Sequence, residues 1–217
     1  MAIVFLGHPF SSYCQKVLIA LYENETPFTW RTIEDAAGFA ELSKLWPLGL
    51  MPVVIGDDTA VAESSIVIEH LVLRHPGKAR LIPTDPQAAL DVRFLDRFFD
   101  NYVMTPMQKV VGDHLRPEGE RDPRGVADAR TRLDVSYGWL ETTLAGRQWA
   151  AGDAFTMADC AAAPSLFYAD WVQPIGDRFP TVRDYRARLL ERPSVARAVD
   201  EARPYRKFFP PGAPDRD

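Results

Sequence analysis

Phe10-Ser11-Ser12-Tyr13-Cys14-Gln15-Lys16-Val17 is the stretch on which the reading of this chain turns. Ahead of it, Ala2-Ile3-Val4-Phe5-Leu6 is an apolar run of strand length, closed by the turn-forming Gly7-His8-Pro9. Behind it, Cys14, Val17, Leu18, Leu21 and Tyr22 recur at i, i+3, i+4, i+7 and i+8, the spacing of one helix face. Two serines therefore stand where a strand gives way to a helix. A hydroxyl there caps the first turn. Unpaired N–H groups and the positive helix end also favour an anion, or a thiol about to become one. Plain capping by Ser11 or Ser12 accounts for the same residues.

Outward from this point, Asn24 to Pro27 interrupts the helix and Phe28 to Ile33 reads as a second strand. Strand, helix, strand makes the two strands parallel, because a parallel pair needs a crossover. A helical stretch from Ala36 to Leu45 ends at Trp46-Pro47. Leu48 to Ile55 then reads as a strand, Gly56-Asp57-Asp58 as a hairpin turn and Thr59 to Ala62 as the return strand. Glu63-Ser64-Ser65 opens a helix over Ile66 to Leu73, again with N–H groups free to hold a carboxylate or simply to be capped. Pro52 is tolerated at a strand's start, at a bulge or on an edge. A cis Met51–Pro52 bond would aim the backbone of Met51 at a ligand, whereas a trans bond would guard an edge strand.

The order β-α-β-α-β-β-α predicts an α/β unit with a mixed four-stranded sheet over residues 1–78. Proline and glycine punctuation predicts a linker at 79–86, and every periodic signal in 87–217 is helical. Leu90, Phe94, Phe98 and Tyr102 recur every four residues, with a kink expected at Pro106. Leu133, Tyr137, Leu140 and Leu144 mark a second long helix, after the turn-rich stretch from Pro117 to Gly125. Thr156-x-x-Asp159 is a capping box opening a small-residue helix. Two shorter helices, Arg183 to Leu190 and Ser194 to Val199, meet at Pro193, and the tail aromatics Phe208 and Phe209 need covering.

Composition is that of a globular protein, 47% hydrophobic and 25% charged. A formal net charge of −5 leaves no electrostatic footprint for nucleic acid or an anionic membrane. No apolar run reaches spanning length and no secretory leader pattern opens the chain, so a cytoplasmic protein is expected. Two distant cysteines, Cys14 and Cys160, make neither a disulfide framework nor a metal site, and the four histidines show no metal-ligand spacing. No metal is expected.

A thioredoxin-like N-terminal half followed by an all-α helical bundle resembles the cytosolic glutathione S-transferase family, of the serine type, with motifs like those of zeta, theta and tau members. Ser11-Ser12-Tyr13-Cys14-Gln15-Lys16-Val17 is similar to the S-x-x-x-[RK]-V opening of the first helix, and Met51-Pro52-Val53-Val54 to the V-P-x-L segment with its cis proline. Glu63-Ser64-Ser65-x-x-Ile68 is similar to the E-S-x-x-I glutathione loop, and Thr156-x-x-Asp159 to the family's central capping box. The resemblance implies that Ser11, or failing it Ser12, donates its hydroxyl to the sulfur of glutathione, the co-substrate. It implies that Met51, before Pro52, pairs with the cysteinyl backbone and that Glu63 and Ser64 hold the γ-glutamyl end. Leu50 stands where relatives carry Lys or Gln for the glycyl carboxylate, and Lys44 is the replacement considered.

The expected chemistry is conjugation of glutathione thiolate to a small hydrophobic electrophile, a detoxification reaction. A glutathione-dependent isomerase or peroxidase and a non-catalytic interaction protein are the alternatives. An electrophile pocket between the two halves would draw on Phe10, Tyr13, Tyr102, Met107, His114, Trp171 and Phe209. The family's usual homodimer is implied too, with the fourth strand and third helix of one subunit facing the first two helices of the helical half in the other. Cys14, on the apolar helix face, reads as a small buried hydrophobe.

Overall fold

The computed structural model describes residues 3–57 and 59–217; Ala2 of the first strand reading and Asp58 of the hairpin turn lie outside them. Strand β1 (Ile3–Gly7) runs into helix α1 (Ser12–Glu23), strand β2 (Phe28–Thr32) and helix α2 (Ala36–Leu45). Strands β3 (Val53–Gly56) and β4 (Thr59–Ala62) then form a hairpin, followed by helix α3 (Ser64–Arg74). The sheet order is β2-β1-β3-β4, with β1 parallel to β2 and antiparallel to β3. It is the mixed four-stranded sheet of a thioredoxin-like unit.

Alternation along β1 divides the core, because successive side chains point to opposite faces. Ile3 and Phe5 pack with Val17, Leu18 and Leu21 of α1 and Ile68 and Leu71 of α3. Leu6 packs on the other face with Ile33, Leu42 of α2 and Val53. The expected strand from Leu48 to Ile55 is shortened to its second half. Gly49 takes φ +64°, and Met51–Pro52 is cis and directly precedes the strand. The chain therefore arrives at β3 from a loop, and β3 is an interior strand that β4 shields.

Helices α4 (Pro86–Phe98), α5 (Thr105–His114), α6 (Pro123–Thr143), α7 (Met157–Val172), α8 (Pro180–Leu190) and α9 (Pro193–Ala202) build the second half. Asp159 closes the capping box at α7 and also accepts from Ala150 N–H at 2.8 Å and Tyr185 O–H at 2.6 Å. Every residue of α7 is buried, and its alanines let neighbouring helices approach closely. The disturbance expected at Pro106 comes one turn earlier, as a π-helical segment over Phe99–Met104. Proline lacks the N–H that would pair with the carbonyl of Tyr102. Ser136 O–H donates to that carbonyl at 2.7 Å instead, so the chain widens without leaving it unpaired.

Two helices have burial that their periodicity leaves open. Leu90, Phe94 and Tyr102 are exposed, while the core side of this helix is Val92, Leu95, Phe99 and Val103. Helix α1 is covered nearly all round, packing with sheet residues and α3 on one side and with α7 and α9 on the other, so Gln15 and Lys16 are buried with its apolar residues. Among the described residues no helix is long and apolar enough to cross a membrane.

Candidate active site

Ser11 is the N-cap of α1, in extended backbone conformation, and its Oγ accepts from Cys14 N–H at 3.4 Å. That contact is long for a hydrogen bond and uses an acceptor lone pair, and the hydroxyl also lies within hydrogen-bond reach of the Cys14 thiol. Ser12 is buried. The fixed turn that presents Ser11 is closed by Ser11 N–H donating to the carbonyl of His8 at 3.0 Å. Gln15 Nε2 donates to the carbonyl of Pro9 and to Tyr168 Oη, both at 2.9 Å, which ties the turn to α7.

A cleft of about 470 Å³ opens beside Ser11, lined by Tyr13, Met51, Pro52, Glu63 and Ser64, with Trp46, Gly49 and Leu50 on the loop before β3. Five of the residues singled out for glutathione thus share one cavity. Lys44 is exposed on the last turn of α2 and is not among its lining residues. Glu63 adopts φ +68°, where side chains are sterically disfavoured, and makes no capping bond to α3. Its strained backbone leaves the N-terminus of α3 open toward the cleft.

Arg97, Asp100 and Gln108 reach the cleft from the helical half. No sequence signal marked them, because Arg97 and Asp100 at i, i+3 read as an ordinary surface pair. They belong to a charge cluster at the seam between the halves. Lys16 Nζ, 1% exposed, lies 2.6 Å from Asp96 Oδ1 and 2.8 Å from Asp100 Oδ2. It also donates to Ser65 Oγ at 2.8 Å, and Ser65 donates in turn to Asp96 at 2.6 Å. Arg97 reaches Asp100 at 3.1 Å from the solvent side. Burial pushes the Asp100 carboxyl upward, and Lys16 pulls it back.

Two further cavities, both predominantly apolar, flank Ser11. One of about 380 Å³ is lined by Phe10, Ser12, Met107, Val111 and Phe209. The other, of about 520 Å³, is lined by His8, Phe10, Ile33, Phe39, Met51 and Phe208. Phe10, Met107 and Phe209 therefore meet beside Ser11 in these apolar cavities, Tyr13 lies in the cleft instead, and three residues named with them line none of the three. Tyr13 lies in the first cleft, its hydroxyl pushed up to about 12 chiefly by burial and then by Asp100. Tyr102 packs against Phe98 on the outer surface. Trp171 is buried behind Phe209 with ring centroids 5.0 Å apart, and His114 Nδ1 is 3.0 Å from the carbonyl of Val110 one turn back. Cys14 is fully buried, which holds its thiol up at about 12. It is a core residue.

A thioredoxin-like unit with a hydroxyl at the first helix terminus, joined to a helical bundle across a cleft, defines the class. The glutathione S-transferase N-terminal domain model matches residues 5–79 and the C-terminal domain model residues 98–193. The chain belongs to the glutathione S-transferase family. It is 25% identical over 204 residues to glutathione S-transferase GstB of Escherichia coli, covering 91% of this chain and 97% of that one. It is 26% identical over 195 residues to FtsZ-localized protein A of Caulobacter vibrioides, covering 85% of each. Among solved structures, a glutathione S-transferase from Methylobacterium radiotolerans in complex with glutathione sulfonate superposes with TM-score 0.79 at 29% identity. That match covers 92% of this chain and 95% of that one.

Proposed function

We propose that the protein is a glutathione transferase that binds glutathione in the cleft beside Ser11 and adds its thiolate to small hydrophobic electrophiles. The single observation that carries this is the convergence of Ser11, Met51, Glu63 and Ser64 on one cavity that meets two apolar ones at the same serine. Ser11 O–H donates to the sulfur. The helix-α3 N–H groups and the Ser64 hydroxyl take the γ-glutamyl carboxylate, while Glu63 and Asp100 face its ammonium group. No general base is needed once the thiol is held as thiolate. Electrophile occupies the apolar space around Phe10, Met107 and Phe209.

Glutathione titrated into the protein by calorimetry is expected to bind at one site per chain with micromolar to millimolar affinity, and no heat at millimolar ligand would sink the reading. Leu50, an exposed leucine in the cleft wall, favours one second reading, an interaction protein of this fold, as the name of the Caulobacter relative suits. Such a protein would ignore the tripeptide. A positive calorimetric result followed by conjugation, isomerase and peroxidase assays separates the remaining chemistries.

The protein is also proposed to work as a homodimer in the cytoplasm. Leu90, Phe94, Tyr102, Val135 and Trp139 are exposed on α4, the following π segment and α6, and Phe98 stacks on Trp139 at 4.2 Å. Phe94, Phe98, Tyr102 and Trp139 are in ring contact, and an exposed apolar cluster of this kind is what an interface in a folded protein uses. Placing a charge there by Trp139→Glu is expected to turn a dimer into a monomer in sedimentation velocity at micromolar concentration. A wild-type chain already monomeric under those conditions contradicts the proposal.

A further inference from the structure

The 520 Å³ cavity on the sheet side of Ser11 differs from the one on the α5 side in having an imidazole in its wall. His8 Nδ1 accepts the N–H of Phe10 at 3.1 Å, which places the proton of a neutral ring on Nε2. Burial lowers the imidazole's pKa, the carboxylate of Glu34 only partly offsetting it, so the ring is neutral near pH 7. Nε2 is 3.9 Å from Glu34 Oε1, beyond hydrogen-bond reach, and that oxygen already accepts from Tyr205 O–H at 2.7 Å. The Tyr205 ring stands edge-on to His8 with centroids 4.5 Å apart and holds it in place. Glu34 and Tyr205 line the same cavity beside His8, and the walls away from them, Phe10, Ile33, Phe39, Met51 and Phe208, are apolar.

His8 and Ser11 are the two ends of one hydrogen-bonded turn. A donor therefore sits at a fixed offset from the group that holds the sulfur, in a cavity that Ser11 also lines. We propose that His8 is a catalytic and specificity-determining residue whose Nε2–H receives the carbonyl oxygen of an α,β-unsaturated carbonyl compound with an apolar body, seated in this cavity. The inference rests on the glutathione-transfer reading. In the step, the thiolate lone pair forms the bond to the β-carbon and the C=C π pair shifts to make an enolate. Nε2–H donates to the enolate oxygen, where charge develops, and the α-carbon then takes a proton from water. The proton lost earlier by the thiol returns to solvent, so the addition is balanced. A donor already oriented at developing charge acts mainly in the transition state.

The test compares kcat/KM with glutathione for an aryl enone and for a benzyl halide of similar size. In the halide reaction the S–C bond forms as halide leaves, and no oxyanion develops. His8→Asn keeps an acceptor near Nδ1 for Phe10 N–H but has no group at Nε2, whereas His8→Gln places an amide N–H there. The enone-to-halide ratio is expected to fall about tenfold or more in His8→Asn and to stay within about threefold of wild type in His8→Gln. Turnover of both electrophiles with a ratio unmoved in His8→Asn, or moved equally in the two variants, overturns the role of His8 alone. Turnover of neither by the wild-type protein overturns it together with the reading on which it rests.

Discussion

Ser11→Ala is expected to raise the pKa of bound glutathione by one unit or more, read as the midpoint of the thiolate absorbance in the ultraviolet. A free thiol titrates near ~8.5. A hydrogen bond to a charged acceptor is worth about 1.5–3 kcal/mol and a helix terminus about 0.3–1 kcal/mol. At about 1.36 kcal/mol per unit, the hydroxyl alone accounts for roughly one to two units. The helix end survives the substitution, so the variant should retain part of the shift and not all of it. Turnover at neutral pH should fall about tenfold or more, because the reacting species is the thiolate. An unmoved midpoint in Ser11→Ala with a raised one in Ser12→Ala would transfer the role to Ser12, against the burial of that side chain.

Lys16→Met should produce the largest loss of stability. Lys16 is enclosed with Asp96 and Asp100, so its removal leaves two buried carboxylates with only Arg97, on the solvent side, as a nearby cation. Breaking a buried ion pair from one side costs about 3–5 kcal/mol. That is a large share of the roughly 5–15 kcal/mol that holds a typical domain folded. The loss has a sign in pH. Burial already raises the Asp100 carboxyl in the folded protein, and Lys16 is the strongest influence lowering it. Without the lysine it rises further above its unfolded value, so the folded variant binds protons more tightly than the unfolded chain. Its stability should therefore increase as pH falls from 7 toward 5, and the gap to wild type should narrow. Urea denaturation at the two pH values measures this. A shift below about 1 kcal/mol, or a gap independent of pH, would mean that the cluster relaxes or takes in water.

Both substitutions sit on α1, and they separate two of its roles. Ser11 is proposed to act through its hydroxyl at the helix end. Lys16 acts through the seam that fixes α1, α3 and α4 relative to one another, and so holds Ser64 and Asp100 on opposite walls of the cleft. A stable Lys16 variant would be expected to bind glutathione more weakly through displaced walls.

Much of the fold was legible because its signals are local. Helix α2 and strand β4 occupy the residues expected of them, and the capping box at Thr156 and Asp159 forms as its spacing implies. Each depends on hydrogen bonds or side-chain periodicity within a few residues. The same holds for Ser11, Met51, Glu63 and Ser64, which stand at element junctions where free backbone groups collect. Residues placed by docking were not legible. Lys16 and Gln15 look like the polar side of an amphipathic helix, and only the second half of the chain, laid over α1, buries them. Leu90, Phe94 and Tyr102 show the period of a core stripe, yet the π segment before Pro106 and the packing of α7 select Val92, Leu95 and Phe99. Tyr13, Arg97 and Asp100 enter the cleft, and Tyr102, His114 and Trp171 stay out of the cavities around Ser11, for the same reason.

By itself, then, the order of residues determined most strand and helix segments, where several of their ends are capped, and which junction places serine hydroxyls at a helix terminus. Tertiary structure decided which polar groups are buried against each other, which aromatics face outward, and that an imidazole three residues before Ser11 shares a cavity with it. Periodicity specifies a face, but what covers that face is set by contacts between residues far apart in the chain. Their burial free energy is available only once both halves are folded.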